Sequence, residues 1–125
     1  ELQREGKDVQ RWNLMHPEEE PRVPYVTRLL QEAGGPVVAA TDYVKLYADQ
    51  IREFVPARYT VLGTDGFGRS DTRAKLRQFF EVSREYIVVA ALKVLADEGQ
   101  VEPALVTRAI VALGVDQDKA NPVTV

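Results

Sequence analysis

Apolar positions recur at two different spacings along this chain, and the switches between them divide it into elements. "PYVTRLLQEAGG" carries Val26, Leu29 and Leu30 at helical spacing, with Pro24 in the first turn and Gly34 or Gly35 as the stop. "PVVAAT" (36–41) is a short apolar run between turn residues, which predicts a strand buried on both faces. "TDYVKLYADQIREFVP" then returns to helical spacing through Val44, Tyr47, Ile51, Phe54 and Val55, with Thr41 or Asp42 as cap and Pro56 as the end. "RYTVLG" (58–63) predicts a second strand. A helix over "TRAKLRQFFE" follows, with Leu76, Phe79 and Phe80 inward. "VSREYIVVAALKVLADEG" reads as a long helix capped by Ser83 and ended by Gly99, apolar almost all round and so expected to be buried. "PALVTRAIVALG" is amphipathic, with Leu105, Val106, Ala109, Ile110 and Leu113 on one side. "VDQDKANPVTV" is a tail.

The first 22 residues fit this scheme least well. "DVQRWNLMHP" allows a short helix, and "HPEEEPRVP" reads as a solvated connection, so residues 1–22 are expected to be an irregular or short-helical lead-in. Strands alternating with helices argue for an α/β layer structure. Two strands are few for such a sheet, and "EYIVVAAL" is the candidate for a missed third. The alternative is that further chain completes the sheet, and a start at Glu1 rather than at methionine favours a cut from something longer.

Composition narrows the function classes. In 125 residues, 45% are apolar and 28% charged, and the net charge is −3, without the basic excess of a nucleic-acid surface. There is no cysteine, which excludes disulfides and thiolate metal sites and agrees with a reducing, cytoplasmic setting. The longest apolar run, "YIVVAAL", has seven residues, against the ~20 needed to span a bilayer. The polar opening "ELQREGKDVQ" is no signal peptide.

The stretch "VLGTDGFGRSDTRAKL" is the one candidate for ligand chemistry. Gly63, Gly66 and Gly68 run into Arg69, Ser70 and Asp71 just before a helix. Backbone N–H groups in such a loop can cradle a phosphate, and Arg69 and Arg73 would add charge. The pattern is neither G-x-G-x-x-G nor a P-loop, and Asp65 and Asp71 bracket it with negative charge. The plainer reading is a turn, with Ser70 or Asp71 capping the helix and Phe67 packed on a neighbour. His16 is the only histidine and lacks partners for a metal site or a triad. Glu18, Glu19 and Glu20 read as a solvated run, Tyr43 and Tyr47 as core or interface, and Trp12 as a ring that must pack on this chain or on another. No set of residues here is equipped to make or break bonds.

Several segments taken together resemble a known family. "GKDVQRWNLMHPEEEPRVPYV", "PVVAATDYVKLYADQIREFVP", "LGTDGFGRSDTR" and "DKANP" (118–122) are similar, in that order, to the C-terminal domain of the transketolase-like, thiamine-diphosphate-dependent family, in its homodimeric pyruvate dehydrogenase E1 branch. The resemblance implies a three-layer helix–sheet–helix domain over residues 23–125, with a mixed, mostly parallel sheet that lacks its first βα unit. It implies a longer parent in which thiamine diphosphate and magnesium sit between the other two domains. That parent would be a homodimer that decarboxylates pyruvate and acetylates the lipoyl group of an E2 acetyltransferase. This segment would then carry no catalytic, cofactor-binding or metal-binding residue. Asp65, Phe67, Gly68 and Ser70 match the family's Asp-x-Phe-Gly-x-Ser pattern, and residues 65–71 (Asp65, Gly66, Phe67, Gly68, Arg69, Ser70, Asp71) are expected to form a structural loop facing other domains or the second subunit. The rival reading is a self-standing anion- or nucleotide-binding module that uses Gly63–Ser70. A third is an interaction module bound through Trp12 and Phe67.

Overall fold

In a computed structural model describing all 125 residues, the helical of the two forms expected for residues 1–22 is present, as a 14-residue helix, α1 (Leu2–Met15). It is longer than the pattern predicts because one of its residues has a tertiary partner. Gly6 is buried, and a Cβ there would lie 2.6 Å from the ring of Phe54. Lys7 pairs with Glu53, and Gln10 Nε2 donates to Glu53 at 3.1 Å, fastening the same helix to the same turn.

Helix α2 (Tyr25–Ala33) packs on α1, with Val26 buried and Thr27 donating to the Phe54 carbonyl. Leu29, expected inward, is 49% exposed. Strand β1 (Val37–Ala40) follows, and then the largest departure from the pattern. The single helix expected over 42–55 is a five-residue helix α3 (Lys45–Asp49) and a separate 3-10 turn (Arg52–Phe54). Residues 41–44 are held out of the helix: Thr41 Oγ1 accepts the Tyr43 N–H, and the Tyr43 carbonyl accepts the Thr64 N–H.

Strand β2 (Tyr59–Leu62) pairs in parallel with β1, Val37 opposite Tyr59 and Ala40 opposite Leu62. The sheet has these two strands only. The carbonyls of Arg58 and Leu62 accept from Val37 and Thr41, so the backbone groups of Tyr59 and Val61 face the other way. There the Tyr59 carbonyl is taken by Arg52 Nη1 at 2.6 Å.

The second half is helical: α4 (Arg73–Phe79), α5 (Arg84–Asp97), α6 (Pro103–Ala112) and a closing 3-10 turn (Pro122–Thr124). "EYIVVAAL" is therefore helix and supplies no third strand. α5 packs on α6 and on β1, but only Val94 of it is buried and Val88 is 44% exposed. Its apolar surface exceeds what this chain covers. Ser83 stands at its N-cap position without a side-chain cap bond. The buried apolar residues are Val26, Phe54, Val61, Val82, Val94 and Val106, a thin core for 125 residues.

Candidate functional site

The glycine-rich loop leaves the carboxyl end of β2, where ligands of open α/β sheets usually bind. Here it is tied to its own chain instead. Gly63 is buried, and a Cβ on it would sit 2.7 Å from the Tyr43 carbonyl. Asp65 Oδ2 accepts the Lys45 N–H at 3.1 Å and so caps α3 from across the fold. Gly66 has φ +133°, and the Pro122 carbonyl lies 2.5 Å from where its Cβ would be. The space a phosphate would need against this glycine is filled by the tail.

Two aromatic rings join loop and tail. Phe79 and Phe80 meet edge to face, with centroids 4.9 Å apart. The Arg69 guanidinium lies 3.9 Å from the Phe79 centroid, and Lys119 Nζ lies 5.0 Å from it. Lys119 also pairs with Glu81 at 3.2 Å, a residue held at φ +62° by the turn between α4 and α5. Arg69 is thus occupied with a ring. Phe67, expected to pack on a neighbour, is 70% exposed, while nothing lies within 4 Å of a Cβ on Gly68.

The cap of α4 is neither Ser70 nor Asp71. Thr72 holds the N-cap position and accepts the Lys75 N–H at 3.4 Å, while Asp71 Oδ1 takes the Thr72 N–H at 2.7 Å. Asp71 braces the cap from one residue upstream, and Ser70 is exposed.

A groove of about 420 Å³ lies beside the loop, lined by Asp42, Thr64, Asp71, Arg73, Leu76, Arg77 and Phe80. Arg77 grips Asp42 through Nε (3.2 Å) and Nη2 (2.7 Å). These hydrogen bonds hold the Asp42 carboxyl below its usual 3.8 and raise the Arg77 guanidinium above its ordinary value. Both side chains remain largely in water, so the pair orients the groove more than it stabilises the fold.

Trp12 packs within its own chain. The His16 ring stacks on it at 4.3 Å and the Arg22 guanidinium lies 3.7 Å from its centroid. Asn13 closes the same turn through both backbone groups of Arg22. His16 Nδ1 lies 2.8 Å from the Trp12 carbonyl, and the imidazole is part of this stack. No three histidine or carboxylate side chains converge, and the Pro122 carbonyl stands against Gly66 of the loop.

The family described as the transketolase-like TK C-terminal domain matches residues 1–83, from α1 through the glycine loop and α4. The chain belongs to that family. It is 58% identical over 125 residues to the pyruvate dehydrogenase E1 component of Cupriavidus necator, covering 100% of this chain and 14% of that protein. The pyruvate dehydrogenase E1 components of Pseudomonas aeruginosa and Escherichia coli are 56% and 54% identical over 123 residues, each covering 98% of this chain and 14% of the relative. The match is to their C-terminal part. A two-stranded parallel sheet with helices on it is consistent with such a domain missing its first βα unit. No helix is long and apolar enough to cross a membrane.

Proposed function

We propose that this chain is the C-terminal assembly segment of a homodimeric pyruvate dehydrogenase E1. The parent would decarboxylate pyruvate and pass the acetyl group to the lipoyl arm of an E2 acetyltransferase in the cytoplasm. Thiamine diphosphate and magnesium would be held by its other domains. Residues 23–125 act in this reading as one domain to which α1 is fastened. They pack domains and subunits together and take no part in bond-making.

The observation that carries the reading is surface area. A folded monomer of 14.0 kDa is expected to expose about 6,700 Å², whereas this chain exposes 8681 Å². The excess of about 2,000 Å² is more than one partner contributes to a standard interface. The loop Asp65–Asp71 contributes through Phe67, which extends into solvent while Asp65, Gly66 and Arg69 anchor the base. The anion-binding alternative is disfavoured by the same geometry, since Pro122 occupies the approach to Gly66 and Phe79 engages Arg69.

The test is kinetic and hydrodynamic together. In the full-length parent, Phe67→Ala should weaken subunit or domain association, read by sedimentation and melting temperature. The turnover number of the assembled enzyme with pyruvate should be unchanged. A fall in turnover with assembly intact would contradict the assembly role. Absence of pyruvate-dependent, thiamine-diphosphate-dependent lipoyl acetylation by the parent would overturn the reading as a whole.

A further inference from the structure

The two parallel strands leave a crevice at their carboxyl ends, apart from the glycine that the tail covers. β1 ends at Ala40 and β2 at Leu62. Two residues beyond each end stand Asp42 and Thr64, and both line the groove of about 420 Å³. Helix α4 adds Arg73, Leu76 and Arg77 to the same lining. Ligands of open α/β sheets bind outside the carboxyl ends of the strands, and small-molecule pockets run from about 300 to 1,000 Å³.

The charges of this groove are engaged, with one exception. Asp42 receives Arg77 on both of its oxygens, and that pair is neutral. Asp71 accepts the Thr72 N–H through Oδ1, and Lys75 Nζ lies 4.0 Å from the same oxygen. Arg73 has neither a carboxylate nor an aromatic ring as partner. The Arg77 hydrogen bonds are the main reason the Asp42 carboxyl is held low, and the nearby charge of Arg73 adds to it. Two guanidiniums thus face one carboxylate, whose two oxygens Arg77 already holds. A guanidinium is a planar fork that matches a carboxylate edge, and Arg73 offers that fork unused.

We infer that Arg73 binds the carboxylate of a small aliphatic monocarboxylic acid, whose short apolar body lies on Leu76 and Phe80 of the same groove. One unpaired guanidinium matches one negative charge. The neighbouring carboxylates of Asp42 and Asp71 work against a phosphate dianion, because like charges brought together are costly. The site uses side chains of α4 and the strand ends, not the backbone of Gly66, so the Pro122 carbonyl does not obstruct it. A bound acid ties α4 to the segment after β2 and so stiffens the loop Asp65–Asp71 that runs between them.

The experiment is arginine modification of the full-length parent with phenylglyoxal, read by mass spectrometry of the peptides carrying Arg73 and Arg108. Arg108, exposed on α6, is the reference. A ligand of this size binds in the millimolar range, so butyrate at about 50 mM should slow modification of Arg73 at least about threefold and leave Arg108 unchanged. Butyramide, and sodium chloride at the same ionic strength, should slow neither. Equal slowing by sodium chloride overturns the inference, because screening then suffices. Stronger protection by inorganic phosphate overturns it as well, since the site would then suit a dianion. So does an Arg73 that phenylglyoxal cannot reach without additive, because another part of the protein then fills the groove. Hydrogen exchange supplies a second readout: butyrate should slow the amides of Asp65–Asp71 in the unsubstituted parent and not in Arg73→Gln. Exchange indifferent to butyrate in both proteins contradicts the site.

Discussion

Gly66 and Gly68 stand two residues apart in one loop and have opposite needs. Gly66 sits at φ +133° with the Pro122 carbonyl against it, whereas Gly68 has no positive φ and open space around it. A side chain at a backbone angle of the first kind costs about 1–3 kcal/mol, and here it would also push the tail away. A surface change of the second kind stays within about 0.5 kcal/mol. In the full-length protein, Gly66→Ala should therefore speed hydrogen exchange at the Val123 and Thr124 amides, which Asn121 now holds. Gly68→Ala should leave them unchanged. Equal effects would mean that the tail is not held by the loop. The sequence marks both glycines as special but cannot separate them, because the distinction is made by Pro122 near the other end of the chain. Asp65 is a similar case. No local signal links it to Lys45, so its capping of α3 becomes visible only in three dimensions. The move of the α4 cap from Ser70 or Asp71 to Thr72 is smaller, since all three side chains can accept an N–H and geometry chooses among them.

At the scale of elements, local patterning located every strand and most helices, and it failed where a distant segment claimed the backbone. The spacing of Val44, Tyr47, Ile51 and Phe54 is truly helical, yet residues 41–44 bond to the Thr64 region and the helix is cut to α3. For α1 the error has the opposite sign. Its amino-terminal half has a weak apolar pattern, but Gly6 lets Phe54 lie directly against the backbone, and that contact holds the helix in place. Glycine within a helix usually costs about 1 kcal/mol relative to alanine, so Gly6→Ala on an isolated helix would stabilise. In the fold, the added methyl meets a ring that is 4% exposed and cannot retreat, and overpacking of that kind costs about 1–3 kcal/mol. Gly6→Ala should thus lower the unfolding midpoint. Adding Phe54→Leu should cost less in the Gly6→Ala background than alone, a positive coupling in a double-mutant cycle. Additive losses would show that the two residues do not compete for the same space.

At the scale of the whole molecule, the thin core, the half-covered α5, the two-stranded sheet and the exposed α3 face are one fact seen four times. The apolar pattern predicts more burial than the structure contains, and the proposed assembly role accounts for the difference. The consequence is thermodynamic. A domain of 125 residues that buries its share of surface unfolds with about 0.7 kcal/mol per residue, on the order of 90 kcal/mol in total near its melting point. An excess exposure of about 2,000 Å² relative to that norm removes packing from the folded state while leaving the entropy of chain ordering in place. The isolated 125-residue polypeptide should therefore melt broadly, with a calorimetric enthalpy well below that figure, and should bind the hydrophobic dye ANS. Within the full-length parent, the same residues should be protected and silent to the dye. A sharp, two-state transition of the isolated chain near 90 kcal/mol without dye binding would mean that its exposed apolar faces need no cover, and the assembly role would fall with it.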